Sequence, residues 1–549
     1  MRAQRLCLLV VLFYASAWRV ATIDRPFDYD DEATGASNGV FARNYLAFGL
    51  NGTHGIPVLT AGDPPPGTPL AYYPSHPPLV PLLISASYLL FGFGDWQTRL
   101  PSALASVGAV LMLYLLVQRV SALSAATVDK HSRRAGLFAA AIYAALPMNL
   151  YFGGMPEVLG SPFVLFSVMA VDAYLLFHDR HASRRWWWLV ATFTLAALSD
   201  WPAFFLVPVF LIHFVATRPR GSWGWIIAFC AAACGLFAAL YVYIAVAAQL
   251  SWTWMVPLVL NRSAIKTASQ FSAREWWSTA LTFNRHLHTV PVIVLSGAWL
   301  VTTMTGRLKA DPTLFKPSPA PAQSSTTIVG AAFRRPASHR VAAILMAWGL
   351  LHVAVGRQGV FNHEWWWWPL TPGLAVTAAL LVESAIAGLE RRWALLVNAG
   401  ATCAIAAFAI WTSTTTFREL FPTPAPRGFT TRDLGRAIRA AAPGRSDVAL
   451  LVWSGFDPQI WFYGDRAVRA NVWSVADLDR RLRDPTADLL FGFDQPWTGP
   501  ATGLVFPLEL RDDFKDLRAR LRERYRIAPA PPEVEAAFEI YDLREVTPP

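Results

Sequence analysis

Long stretches of this chain hold no charged residue at all, and nothing else in the sequence limits the fold as strongly. Residues 135–152, 236–250 and 393–417 are the clearest cases. A helix rises about 1.5 Å per residue, so runs of this length suit a hydrocarbon core of about 30 Å. Only 15% of the 549 residues are charged, where a soluble domain carries about a quarter. The mean hydropathy is +0.34. Tryptophan occurs 24 times, with clusters at 186–188, 276–277 and 365–368. Its amphipathic ring favours the membrane–water boundary, so belt anchoring is the ordinary reading of these clusters. The expected class is therefore a polytopic, all-α transmembrane protein.

The net charge of +10 would suggest a nucleic-acid partner in a soluble protein. Here the basic residues of the apolar region sit mainly in short loops between apolar runs, and membrane topology explains them better. No nucleic-acid partner is expected. Cys7, Cys230, Cys234 and Cys403 all lie inside apolar runs, which indicates neither a disulfide framework nor a zinc site. The N-terminus, with basic residues followed by an apolar run and small residues, has the pattern of a signal peptide. Because a multi-span chain follows, an uncleaved first span is the preferred reading.

The expected spans are 6–23, 99–118, 135–152, 158–177, 186–199, 201–217, 224–247, 289–306, 341–355, 366–389 and 394–415, about eleven in all. The apolar run 77–93 decides the topology. Basic residues dominate loops 119–134 (Arg119, Lys130, Arg133, Arg134), 178–185 (Arg180, Arg184, Arg185), 307–340 (Arg307, Lys309, Lys316, Arg334, Arg335, Arg340) and 390–393 (Arg391, Arg392). Basic loops favour the cytoplasmic side. These loops share a side with Arg2 and Arg5 only if 77–93 does not cross. It is therefore expected to lie in the outer interface, with Pro77, Pro78 and Pro81 suiting a helix start. The N-terminus is then cytoplasmic, residues 24–98 form one large acidic outer loop, and the C-terminus is outside. Loop 307–340, rich in Pro, Ser and Ala, reads as a cytoplasmic linker. After residue 418 the composition turns charged. Strand-like runs at 448–453, 488–493 and 538–543 alternate with helical patterns at 431–442, 477–483 and 513–524. The expected organisation is a membrane domain over 1–418 and a soluble α/β extracytoplasmic domain over 419–549.

Five motifs carry possible chemistry. Asp28-Tyr29-Asp30-Asp31-Glu32 follows the first span; so dense a set of carboxylates can bind a divalent cation or hold a proton for acid–base work. His76, in Tyr72-Tyr73-Pro74-Ser75-His76-Pro77-Pro78, can meet a phosphate oxygen or shuttle a proton. Glu157 follows Gly153-Gly154-Met155-Pro156 at a span junction, where a carboxylate is costly unless it faces a wet cavity or a partner. Asp200, before Trp201-Pro202, and His363-Glu364, before Trp365, sit at further outer turns. Each has an ordinary reading as a solvated turn or a capping side chain. Together they are less ordinary, because the charge-derived topology puts all five on one face. Arg99, and Arg262, Lys266, Arg274 and Arg285 in the segment 248–288, are candidates to neutralise a phosphate or, more plainly, to snorkel.

At these residues the sequence resembles the GT-C class of integral-membrane glycosyltransferases, in the branch of the lipid A aminoarabinose transferases and protein O-mannosyltransferases. Asp31-Glu32 followed by Phe41-Ala42-Arg43-Asn44-Tyr45-Leu46 resembles the family's acidic motif and the helix after it. His76-Pro77-Pro78-Leu79, Phe91-Gly92 and Arg99-Leu100-Pro101-Ser102 are similar to its most recognisable run. Residues 151–157 resemble the motif that brings a second acidic residue to a span junction. The likeness covers roughly residues 5–415. It implies a polyprenyl-phosphate-linked sugar as donor, an active site on the outer face of the cytoplasmic membrane, and inverting transfer to a lipid, glycan or protein. It also implies that a first-loop carboxylate activates the acceptor or steadies the donor. The gap from Asp31 to Arg43 is longer than the family's usual spacing, so Asp30, Asp31 and Glu32 all stay candidates for that role. The competing function is a transporter or lipid flippase, for which Asp172 and Glu383 near span ends offer some support.

Overall fold

The computed structural model describes residues 2–28, 32–63, 70–124, 130–179, 182–217, 223–264, 271–305, 337–387, 389, 391–421, 430–441, 444, 448–452, 457–469, 472–483, 501–508 and 511–546. The chain divides into two compact units. One comprises Met1–Thr22 and Ser102–Leu420; the other comprises Ile23–Pro101 and Phe421–Pro549.

The first unit is helical. Among the described residues of the whole chain, seven helices are long and apolar enough to cross a membrane: Gln4–Thr22, Asp95–Arg119, Ser161–Asp179, Trp223–Ala247, Ser338–Val355, Glu364–Ala387 and Arg392–Leu420. An eighth span results if Ala273–Leu287 and Val290–Met304, bent by 108°, count as one. The chain is thus a multi-span membrane protein. The remaining expected spans are shorter or broken, and the breaks are local in origin. Leu146 is extended (φ −63°, ψ 135°) ahead of Pro147, because proline disfavours helical geometry in the residue before it. The expected span 135–152 is therefore two helices, Lys130–Ala145 and Pro147–Phe152. Asp200 is extended too (φ −163°, ψ 155°); it ends Ser183–Ser199, and its side chain caps the short 3-10 helix Trp201–Phe205 by accepting from the Trp201 N–H. The outer segment expected over 248–288 holds two helices that the sequence reading passed over, Met255–Arg262 and Ala273–Leu287.

Packing in this unit follows the rule that small residues let helices approach closely in lipid. A methyl added at Gly373 would stand 3.0 Å from the Met346 backbone nitrogen. One at Gly349 would stand 2.5 Å from the Leu370 Cα. The helix Ala337–Val355 makes these contacts with Thr371–Ala387 and with the 3-10 helix Glu364–Leu370 before it, around a core of Trp348, Leu345, Ala375 and Ala379. Exposed Trp225, Ile227 and Val246 on one helix, and Leu395, Leu396 and Ile410 on another, make apolar surfaces suited to lipid.

The second unit is built on a five-stranded sheet in the order β2-β1-β3-β5-β4, with β1 Val448–Leu451, β2 Ala467–Arg469, β3 Ala501–Pro507, β4 Tyr525–Ile527 and β5 Phe538–Val546. β1 pairs in parallel with β2 and β3, while β5 runs antiparallel to β3 and β4. The period of two along a strand sends alternate side chains to opposite faces. Leu504, Phe506, Tyr541 and Leu543 pack on one face with Leu478, Leu517 and Leu521 from helices Val475–Arg483 and Lys515–Arg524. Val505, Phe538 and Ile540 pack on the other. That second face also holds Phe27, Ala36, Val40, Phe41, Leu59 and Ala61. The sequence reading divides the chain at residue 418; in the structure the first loop shares a hydrophobic core with the tail, and the two form one compact unit. The strand-like run at 488–493 lies outside the described residues, and β2, β3 and β4 were not anticipated.

Candidate active site

The first-loop segment begins with a clamp. Glu32 is 3% exposed, and its Oε1 accepts from Arg99 Nη2 at 2.9 Å and also from Arg25. Its Oε2 accepts from the backbone N–H of Asp28 at 3.0 Å. Arg99, also 3% exposed, donates further to the carbonyls of Arg25 (3.2 Å) and Pro26 (3.4 Å), and its guanidinium lies 4.2 Å over the Phe27 ring. Two charges taken from water need this many partners to be tolerated. The sequence supplied both members of the pair, but treated Glu32 as a catalytic candidate and Arg99 as a phosphate ligand. Their geometry makes them each other's partner.

A second layer comes from the tail. Asp28 Oδ1 accepts from the Thr431 N–H at 2.7 Å and the Thr431 hydroxyl at 2.8 Å. Burial pushes the Asp28 carboxyl up from its ordinary value, as does the charge of Glu32, while the Thr431 bonds oppose the shift. The Tyr463 hydroxyl donates to Asp95 and accepts from the Phe27 N–H at 2.8 Å. Arg432 reaches the other Asp95 oxygen at 2.6 Å. Arg43 pairs with Asp465 at 3.0 Å and donates to the Trp461 carbonyl at 3.0 Å. The backbone on either side of 29–31 is therefore held at Phe27, Asp28 and Glu32. Asp30 and Asp31 lie outside the described residues. Sequence reasoning missed Asp95, Thr431, Arg432 and Tyr463 as partners; they stand about 400 residues from the first loop in part, and no local pattern marks them.

His76 stacks on Tyr73 with ring centroids 5.9 Å apart, and Tyr73 stacks on Phe41 at 5.2 Å. Asn44 fixes the segment below by donating to the Val58 and Thr60 carbonyls at 2.7 and 2.6 Å. As a cation site the described groups are poorly suited, because both Glu32 oxygens and Asp28 Oδ1 already accept bonds. Among the described residues no cluster of three or more His, Cys, Asp or Glu side chains has metal-binding geometry.

In the membrane unit, three of the junctions singled out in the sequence meet. Phe152, beside the Glu157 turn, approaches Trp365 at 6.3 Å and Trp368 at 6.1 Å. His363 stacks on Trp365 at 4.6 Å, and the Arg262 guanidinium lies 5.1 Å from the Trp366 ring. Trp366 also meets His352 at 5.4 Å, and His352 meets Phe205, on the turn that Asp200 caps, at 6.1 Å. Glu157 is 3% exposed and its Oε1 accepts from the Val158 N–H at 3.0 Å. Asp200 is 1% exposed, with Oδ1 accepting from the Trp201 N–H at 2.7 Å. Glu364 opens the 3-10 helix Glu364–Leu370. Nearby, His286 bonds Glu419 at 3.1 Å and meets the Tyr151 ring edge-on at 5.3 Å. Lys266 lies outside the described residues; Arg274 and Arg285 are on the amphipathic helix Ala273–Leu287.

One further group was not foreseen. Arg19, 4% exposed near the end of the first span, donates to the Ser106 hydroxyl (2.8 and 3.0 Å) and to the Asn149 carbonyl (2.6 Å). These partners are neutral, and they tie the first span to the segment leading to Glu157.

The family described as dolichyl-phosphate-mannose-protein mannosyltransferase matches residues 75–252. Among solved structures, the chain is similar to ArnT from Cupriavidus metallidurans bound to undecaprenyl phosphate, with a TM-score of 0.61 and 14% identity over 98% of this chain and 97% of that one. It is also similar to the oligosaccharyltransferase AglB from Archaeoglobus fulgidus in complex with an inhibitory peptide and a dolichol-phosphate, with a TM-score of 0.55 and 13% identity over 92% of this chain and 70% of that one. No curated protein matches by sequence. The fold is that of the GT-C integral-membrane glycosyltransferases, and the chain resembles the branch anticipated from its motifs.

Proposed function

We propose that the chain is a membrane glycosyltransferase that moves a sugar from a polyprenyl-phosphate donor to a lipid, surface glycan or protein acceptor. The observation that carries this reading is the Arg25–Glu32–Arg99 clamp, which fixes the end of an acidic segment within a GT-C fold. The donor is already activated, so a nucleotide site is unnecessary. The acceptor oxygen or nitrogen attacks the anomeric carbon, the bond from that carbon to the phosphate oxygen breaks, and polyprenyl phosphate leaves. The acceptor's proton passes to a carboxylate, with inversion at the anomeric centre. General-base assistance of this kind is worth about 10²–10⁴-fold. Glu32 has both carboxylate oxygens committed, to Arg25 and Arg99 on one and to the Asp28 N–H on the other. We assign it to holding the segment and give the proton-accepting role to Asp31 or Asp30. His76 and the junction residues Glu157, Asp200, His363 and Glu364 are the proposed contacts for donor and acceptor.

The reading places this chemistry on the outer face of the cytoplasmic membrane, with a cytoplasmic N-terminus and an extracytoplasmic tail. The transporter alternative loses its motivation, since Asp172 is paired with Arg119 at 2.8 Å and Glu383 with Arg134 at 3.0 Å. Membranes containing the protein, incubated with labelled polyprenyl-phosphate sugars, should move label into a lipid, glycan or protein fraction. Asp31→Asn should abolish transfer while insertion is kept. Unchanged transfer after neutralising Asp30 and Asp31 together would overturn the mechanism.

A further inference from the structure

We infer that the second unit carries a seat for the phosphate headgroup of an acidic membrane phospholipid, beside the end of the helix Leu79–Phe91 and apart from the carboxylate chemistry above. A cavity of about 340 Å³ opens there, lined by Phe93, Asp95, Trp96, Arg432, Arg436 and Arg439 among others. The three arginines project from one helix, Thr431–Ala441, at i, i+4 and i+7, the spacing that puts side chains on one face. The opposite face, with Leu434, Ala437 and Ile438, is buried in the core. Asp95 is committed to Tyr463 and Arg432; Arg436, 66% exposed, meets Asp433 at 3.6 Å, and Arg439, also exposed, donates to the Tyr463 carbonyl at 2.5 Å. Guanidiniums match phosphate oxygens bidentately, which makes paired arginines a natural phosphate seat.

The occupant's other half is indicated by an apolar tip next to the cavity. Leu89, Leu90, Phe91 and Phe93 are 72%, 74%, 51% and 44% exposed, and the Phe91 ring meets Trp96 at 5.5 Å. A contiguous patch of this kind is unfavourable in water. The helix Asp95–Ser124, long and apolar enough to cross a membrane, begins two residues after Phe93. Chain continuity therefore keeps the tip at the bilayer boundary, where acyl chains can cover the leucines and the arginines can reach headgroups. A soluble anion would account for the arginines and leave the apolar tip unexplained.

The test reconstitutes the full chain into nanodiscs of mixed phosphatidylglycerol and phosphatidylcholine and measures the lipids retained on release by native mass spectrometry. Wild type should retain phosphatidylglycerol preferentially. The preference should fall about fivefold for each arginine removed in Arg436→Gln and Arg439→Gln. It should fall as well in Leu89→Ser/Leu90→Ser, a surface change that leaves the arginine helix intact. Millimolar inorganic phosphate should not compete. A preference unchanged by the arginine substitutions overturns the inference, as does displacement by inorganic phosphate or retention of polyprenyl phosphate in place of phosphatidylglycerol. Loss of sugar transfer with this preference intact would count against the proposed function alone.

Discussion

Arg99 and Glu32, 67 residues apart in sequence, meet at 2.9 Å, each only 3% exposed. The contact joins the start of a span to the end of the acidic segment. It also turns two residues that look like separate functional groups into one structural joint.

Breaking that joint from one side should be costly. Arg99→Met leaves Glu32 with one guanidinium, that of Arg25, beside the Asp28 N–H, and Glu32→Gln leaves two guanidiniums facing a neutral amide. Removing one partner of a buried pair costs about 3–5 kcal/mol. The double variant should lose less than the sum of the two, since neither charge is then stranded. Thermal unfolding in detergent, read as a double-mutant cycle, checks both points.

Tyr463 should behave as a tie rather than a catalyst. Its hydroxyl joins Asp95 to the Phe27 N–H, and burial pushes its ionisation well above the ordinary phenol range, with Asp95 adding to the shift. Tyr463→Phe leaves a buried N–H and a carboxylate oxygen short of a partner, at about 1–3 kcal/mol. The pH profile of transfer should keep its shape in this variant while stability falls. A shifted pH limb would assign the phenol a direct part in proton transfer.

Gly153 leaves no room for a side chain. A methyl there would lie 2.0 Å from Arg19 Nη2 and 2.4 Å from the Asn149 carbonyl oxygen, the atoms that bond each other. Gly153→Ala should therefore cost about 1–3 kcal/mol, the usual range for overpacking a tight site. Unfolding midpoints would show it, and an unaffected midpoint would mean that Arg19 withdraws freely.

Acid stability should depend on Glu539. Burial alone would raise this carboxyl, but bonds from Arg518, Arg522 and Tyr541 outweigh it and bring it down to about 2 from 4.5. A depressed acid stabilises the folded state above its unfolded value, and that contribution is lost as pH falls from about 4.5 toward 2. Asp542, lowered chiefly by its bond to Arg544, works in the same direction. Asp28, raised by burial, works in the opposite one, losing stability as pH rises above 3.8. Glu539→Gln should flatten the decline in unfolding midpoint across this acid window; an unaltered slope would remove Glu539 from the account.

The sequence alone determined that this chain lives in a membrane, because stretches without charge can bury themselves in little else. It also carried the helix breaks in principle, since Pro147 and Pro202 are visible, although the one span expected over 135–152 runs straight through Pro147. Its motif likeness anticipated the fold. It could not determine what the acidic residues do, because a carboxylate's role depends on which groups stand within about 3 Å of it. In the chain Glu32 is one carboxylate among several, and only the fold brings Arg25 and Arg99 onto it, as it brings Tyr463 and Arg432 onto Asp95. Nor could it join the first loop to the tail. Phe27 and Val40 share a core with Val505 and Ile540 through burial, which is non-directional and leaves no spacing in the chain to read.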